Sequence, residues 1–267
     1  MRILPVIVVY GADLTTCNTY RSLQPELTGR DVLVYDNSPS PLNAPLATGN
    51  PHIIYHNDGH NRGVSAAYNL GNRVATERGY KFVLLLDQDT RFAPGYIAAL
   101  EHAIGAHPEE DLFVPNLSYG DGRPFSPVSI TALRARGCRL PAGSHAWGGF
   151  LPVNSGACIR TTVFERAGGY NEKIRLDFAD FDFFNRLQAV TPRFYVIEKD
   201  AAQNFSNEET DAGKLLTRYR FYLEGARAVT GRRRFFLHVV RHTLALAIRT
   251  RRTDFLRLFV AQYLLKL

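Results

Sequence analysis

The chain has 267 residues, 45% of them hydrophobic and 21% charged, with 32 Lys and Arg against 25 Asp and Glu for a formal net charge of +7. That composition excludes a disordered or collagen-like protein, and at roughly 100–200 residues per domain it predicts one large domain or two small ones. Cys17, Cys138 and Cys158 are odd in number, far apart and without a C-x-x-C pair, so neither a zinc site nor a disulfide framework is expected. From the N-terminus, near-continuous apolar runs at 3–10, 32–35, 53–55 and 82–86 read as strands buried on both faces of a parallel sheet. Between them 14–23 and 64–78 read as helices; the second sets Val64, Ala67, Gly71, Val74 and Ala75 on one face and stops at Gly79. This β-α-β-α alternation predicts an α/β fold with right-handed crossovers. A helix at 94–106, with Pro94 in its first turn, precedes a strand at 112–114. Residues 118–149, rich in Gly, Pro, Ser and Arg without a period, read as a functional loop. A strand at 150–159, a short helix at 162–166, a helix at 180–190, a strand at 194–197 and helices at 214–229 and from 232 onward complete the pattern.

The first apolar run is too short for a secretory h-region and lacks a cleavage site, and no run of about 18 apolar residues occurs. A cytoplasmic protein without a membrane-spanning helix is expected. Charge is unevenly placed: residues 230–267 carry nine basic residues and one acid, Asp254, a net +8 that leaves −1 for residues 1–229. A nucleic-acid groove across the main body therefore loses its chief support.

Leu84-Leu85-Leu86-Asp87-Gln88-Asp89-Thr90 carries the sharpest chemistry. Ligands of open α/β sheets bind beyond the carboxyl ends of the strands, and two acids at i and i+2 of extended chain point the same way, able to share one Mg²⁺ or Mn²⁺. Asp36, closing the second strand in Tyr35-Asp36-Asn37-Ser38, is placed either to accept hydrogen bonds from a nucleotide or to form an Asx turn before Pro39. Asn61-Arg62-Gly63 feeds the 64–78 helix, whose N-terminal amides and Arg62 suit a phosphate, although the loop is neither a Walker loop nor G-x-G-x-x-G. In Asp177-Phe178-Ala179-Asp180-Phe181-Asp182, carboxylates lie among aromatics, where burial raises a pKa toward that of a general base. Asp182 and Arg186 are spaced for a helical ion pair, and Asp177 or Asp180 could equally cap the helix.

In this order, with Asn69, Gly71, Asn154-Ser155-Gly156, Gly168-Gly169-Tyr170 and Glu172, these motifs resemble family 2 glycosyltransferases from about residue 4 to about residue 227. Asp-Gln-Asp-Thr resembles the rhamnosyltransferase-like branch. The resemblance implies the GT-A fold, a Rossmann-like, mostly parallel sheet flanked by helices. Residues 1–229 would form the glycosyltransferase domain and 230–267 a C-terminal helical extension. It implies that Tyr10, Asp36, Arg62 and Asp87 bind a dTDP- or UDP-linked sugar donor, and that Asp89 and Asp87 hold the metal. Asp180 would be the catalytic base of an inverting transfer, with Asp182 near the acceptor. Many members carry a metal-binding His where this chain has Ala202-Gln203-Asn204, so Gln203 or Asn204 would offer an amide oxygen instead.

From Arg232 onward arginines alternate with Phe, Leu and Val, which reads either as a basic amphipathic element on an anionic membrane or as helices packed on the main domain. The first suits a glycan or polyprenyl-diphosphate-linked acceptor at the inner face of the cell membrane. Two rival readings are a catalytically impaired nucleotide- or membrane-binding relative and a sugar-nucleotide nucleotidyltransferase. The latter would need a basic Gly-rich loop after the first strand, and Tyr10-Gly11-Ala12-Asp13-Leu14 has no base.

Overall fold

The structure, a computed structural model, describes residues 2–130, 135–203 and 212–266. In chain order it forms β1 (Ile3–Val9), α1 (Asn18–Leu27), β2 (Val32–Asp36), α2 (Ala44–Gly49), β3 (Ile53–His56), α3 (Gly63–Glu77), β4 (Phe82–Leu86), β5 (Thr90–Phe92), α4 (Tyr96–Ala106) and β6 (Leu112–Val114). There follow β7 (Leu117–Tyr119), β8 (Pro124–Ser126), β9 (Val128–Ile130), β10 (Ala135–Gly137), β11 (Gly143–Ala146), β12 (Phe150–Leu151), β13 (Cys158–Arg160), α5 (Thr161–Arg166), α6 (Ala179–Leu187), β14 (Arg193–Val196) and β15 (Ala201–Gln203). Helices α7 (Ala212–Ala228), α8 (Phe236–Thr250) and α9 (Asp254–Gln262) end the chain.

The main sheet has the order β11-β14-β6-β13-β4-β1-β2-β3, with β1 to β4 mutually parallel and β13 antiparallel to both its neighbours. The unbroken apolar runs have a direct cause in the two-residue period of a strand. Leu4, Val6 and Val8 of β1, with Val83 and Leu85 of β4, enter a core beneath α3, α5 and α6. Ile3, Ile7 and Val9, with Phe82, Leu84 and Leu86, enter a second core beneath α1 and α4. Helix α3 lies so close to the sheet that a Cβ on Gly71 would stand 2.6 Å from Val6, which explains the glycine on its apolar face.

The described residues of 118–149 hold five short strands, β7 to β11, where a loop is expected. Strands β7 and β8 join β5 and β15 in a four-stranded sheet, β9 pairs with β10 and β12, and β11 edges the main sheet. Strands of three or four residues are too short to display a period, and their partners lie as far away as Leu117 from Ala201, 84 residues apart. The expected strand at 150–159 is likewise two, β12 and β13, parted by the Asn154-Ser155-Gly156 turn. The helix expected at 14–23 is a single 3-10 turn at Leu14–Thr16, an extended Cys17, then α1.

The C-terminal helices pack on α7: Tyr219 meets Phe255 edge-on at 5.3 Å between ring centroids, and Tyr222 lies 4.5 Å from His242. Phe235, Val239, Leu246, Phe259 and Tyr263 share the core of α6 and α7. Among the described residues no helix is long and apolar enough to cross a membrane.

Candidate active site

Because β1, β2 and β4 are parallel, Tyr10, Asp36 and Asp87 emerge at one edge of the sheet. The turn after β4 is fastened on several sides. Gln88 Oε1 accepts from the Tyr10 amide at 2.8 Å, Asn18 Nδ2 donates to the Asp89 carbonyl at 3.2 Å, and Thr19 Oγ1 donates to the Thr90 carbonyl at 2.8 Å. Gln88 thus ties the turn back to β1, while α1 holds it from the other side.

Asp87 accepts from Ser155 Oγ at 3.0 Å and from Gln203 Nε2 at 2.7 Å, both on Oδ2, and its Oδ1 is buried without a partner. Burial pushes the Asp87 carboxyl up despite the hydrogen bonds it receives, and burial also raises Asp89. Gln203 reaches this turn at the end of β15, its own Oε1 buried and unpartnered. Asn204 lies outside the described residues.

Asp180 stands in the first turn of α6, aimed by a strained entry: Phe178, just before the helix, has φ +72°. A non-glycine residue in the left-handed region costs of order 1–3 kcal/mol, held here by packing of Phe178 against Tyr222 and Phe235. Burial lifts the Asp180 carboxyl to about 7 against a hydrogen bond from the Asn154 backbone, and the charges of Asp87 and Asp177 add to the rise. Its Oδ1 is also buried and unpartnered, as are the hydroxyls of Tyr68 and Tyr170, whose rings lie 5.3 Å apart. The charges of Asp87 and Asp180 both bear on the Tyr68 hydroxyl, so these groups form one neighbourhood. Each unpaired buried polar atom costs about 1–3 kcal/mol, and the gathering of several of them, on Asp87, Asp180, Gln203, Tyr68 and Tyr170, suits a polar ligand here.

Asp87, Asp89 and Asp180 therefore gather with Gln203 and Ser155. Tyr10, 52% exposed, and Asp36, fully buried, sit at the adjoining strand ends. Asp36 accepts from the Ser38 amide at 3.0 Å, Asn43 Nδ2 at 3.0 Å and Tyr55 OH at 2.9 Å. Burial pushes its carboxyl up, but these hydrogen bonds outweigh that and leave it below its ordinary value. Arg62 is exposed and 3.8 Å from Asp58, while the first amide of α3 beyond Gly63, that of Val64, donates to the Arg175 carbonyl at 2.9 Å and is not open to phosphate. Asp182 is 1% exposed and fully engaged: Oδ2 accepts from Arg186 Nε at 3.1 Å and Nη2 at 2.9 Å, and Oδ1 from Thr230 N and Oγ1, both at 2.8 Å. Asn18, Thr19 and Tyr68 join the site without having been singled out in the sequence, and Tyr170 joins it from a quoted motif. Only the Gly168-Gly169-Tyr170 motif and the neighbouring Asn69 hinted at the last two.

Among the described residues no three His, Cys, Asp or Glu gather as a metal cluster. Asp87, Asp89 and the orphaned Gln203 Oε1 nonetheless form a set of hard oxygen donors that suits Mg²⁺ or Mn²⁺.

A parallel-rich sheet with acids at its strand ends and a helix-borne carboxylate facing them is a GT-A arrangement, and solved structures agree. The chain aligns with GalNAc-T7, crystallised with UDP, GalNAc and Mn²⁺, at a TM-score of 0.60 and 12% identity, over 91% of this chain and 51% of that one. Residues 1–349 of S. aureus TarS align at 0.58 and 12% identity, over 94% and 92%; the same protein with UDP aligns at 0.53 and 15%, over 86% and 66%. The chain belongs to glycosyl transferase family 2, whose family model matches residues 7–165. It is 24% identical over 186 residues to the dTDP-rhamnosyl transferase RfbF of Shigella flexneri, a match covering 68% of this chain and 61% of that protein's length. The chain thus matches less than two thirds of that relative.

Proposed function

We propose that the protein is an inverting glycosyltransferase that moves a sugar, rhamnose from dTDP-rhamnose in the first instance, from a nucleotide-diphosphate donor to a cell-surface glycan or its lipid-linked precursor. The observation that carries this reading is the meeting of Asp180, its Oδ1 unpartnered and its carboxyl raised to about 7, with the Asp87-Gln88-Asp89 turn at the strand ends. Near neutrality such a carboxylate accepts a proton readily. Asp180 takes the proton of an acceptor hydroxyl, the freed oxygen attacks the anomeric carbon from the face opposite the diphosphate, and the nucleoside diphosphate leaves with the bonding electrons. Tyr10 and Asp36 line the donor's nucleotide, Asp36 acting through the rigid hydrogen-bonded corner it makes with Ser38, Asn43 and Tyr55. Asp89, Asp87 and Gln203 would hold a divalent cation, which when bound offsets the charge that develops on the leaving diphosphate.

The reading places the protein at the inner face of the cell membrane, with residues 230–267 against the anionic surface. A screen of nucleotide sugars for donor hydrolysis and transfer, with and without Mn²⁺, tests the catalytic part. Turnover of dTDP-rhamnose or a UDP-sugar is expected. Tight nucleotide binding with no turnover of any donor would favour the impaired relative, and accumulation of nucleotide sugar from sugar phosphate would favour a nucleotidyltransferase.

A further inference from the structure

Among the described residues eleven large hydrophobic side chains are exposed, and eight of them lie between Phe236 and Leu265. Leu237, Arg241, Leu244 and Ile248 follow one another at i, i+4, i+7 and i+11 along the outer side of α8, all exposed, while Val239, Thr243 and Leu246 turn inward. The C-terminal segment therefore has two apolar faces, one covered by α7 and one in water. At the start of α8 the exposed face borders a cavity of about 390 Å³ lined by Arg232, Arg233, Phe236 and Tyr263. The two rings stack at 6.4 Å and 25°, and Leu237, Leu264 and Leu265, the last 77% exposed, stand at the edge of the same end.

We infer that this cavity receives the phosphate headgroup of an anionic phospholipid, with the lipid's chains lying along the exposed leucines. Two guanidinium groups supply forked donors matched to phosphate oxygens, the stacked rings suit the boundary between headgroup and acyl chain, and the leucines suit the chains. The net +8 of the segment complements an anionic leaflet. A second copy of the chain fits worse, because a dimer seam over this face would desolvate Arg241 while α8 carries no acid to pair with it. A nucleic acid would use the arginines and leave the leucines in water. The inference rests on the membrane reading above and sharpens it to one binding site.

Sedimentation of the full-length protein with phosphatidylcholine vesicles, with and without phosphatidylglycerol, tests it. Arg232 and Arg233 are exposed, Arg232 with a contact of its own, so the folding of Arg232→Gln/Arg233→Gln is checked by its melting temperature, and Arg241→Gln/Arg249→Gln removes the same charge from the outer face. The first pair is expected to weaken partitioning onto phosphatidylglycerol vesicles about tenfold more than the second. Equal losses would mean diffuse attraction, overturning the headgroup site and leaving the membrane reading standing. Wild-type protein that ignores vesicles but binds inorganic phosphate through Arg232 and Arg233, seen by arginine side-chain NMR, would make the ligand a soluble anion and overturn the lipid assignment. A protein that ignores both would remove the site altogether, and vesicle-free dimerisation through Leu244 and Ile248 would assign the face to a second copy.

Discussion

The strand-end site and the C-terminal helices handle charge in opposite ways. At the strand ends three half-buried carboxylates, Asp87, Asp89 and Asp180, are pushed upward by desolvation, and two of them carry an unpartnered buried oxygen. On the tail most arginines stand in solvent, where charge is cheap to keep. A few desolvated groups at fixed positions give chemistry that depends on each of them, whereas many solvated groups give an attraction that is nearly a sum. Removing one acid should therefore be decisive, and removing one arginine outside the cavity should be minor.

Asp180→Asn should show the largest effect, a fall of about 10²–10⁴-fold in kcat with nucleotide binding retained in calorimetry. In the wild type, kcat/KM should decline as pH drops through about 7, where Asp180 gains its proton. The same carboxyl makes a second, opposite claim on stability. Its folded value lies above the unfolded one near 3.8, so the folded state holds the extra proton between the two, and the stability cost of Asp180 builds as pH rises from about 4 to about 7 and is complete above that. Asp180→Asn should then melt higher than wild type at pH 8, with the gap closing as pH falls toward 4; a variant that melts lower at pH 8 would contradict the burial.

Asp182 sits two residues away, and its substitution should read out in the fold. Removing a buried, paired carboxylate costs about 3 kcal/mol, so Asp182→Ala should lower the melting temperature by roughly 6–12 °C. Unchanged melting with lost turnover would instead place Asp182 at the acceptor. Next in size, Asp89→Ala should weaken nucleotide binding in Mn²⁺ by roughly 10–100-fold and leave binding in EDTA unaltered; equal losses in both would remove Asp89 from the cation. The smallest effect on the fold belongs to Leu244→Glu/Ile248→Glu, within about 0.5 kcal/mol per substitution, because both side chains are exposed. Those glutamates should still reduce vesicle partitioning, and no change there would separate the outer face from the membrane.

Much of the main sheet was legible because β1, β2 and β4 are buried on both faces and read as unbroken apolar runs. The site acids were legible for the same reason, since Asp36, Asp87 and Asp89 close or directly follow those runs. What escaped were contacts made across long separations. Ser155 and Gln203 reach Asp87 from 68 and 116 residues away, and nothing local in either residue announces its partner. The strands between Leu117 and Ala146 escaped because three or four residues show no alternation, and the tail escaped in part because membrane contact and packing on α7 looked like rivals. Its helices pack on α7 with one face and expose another, so packing is one half of the picture and the outer face is where membrane contact can be tested.

The Asp182 to Thr230 contact bears on how the molecule can be cut. The helix that presents Asp180 is latched, two residues further on, to the first residue of the basic segment, and Phe235 closes over Phe178 at its entry. A deletion at residue 229 would leave Asp182's Oδ1 without its donors and uncover the turn that aims Asp180. Loss of turnover in such a truncation would report damage to the helix that carries Asp180, so the tail is not severable at its charge boundary and must be dissected on its outer surface.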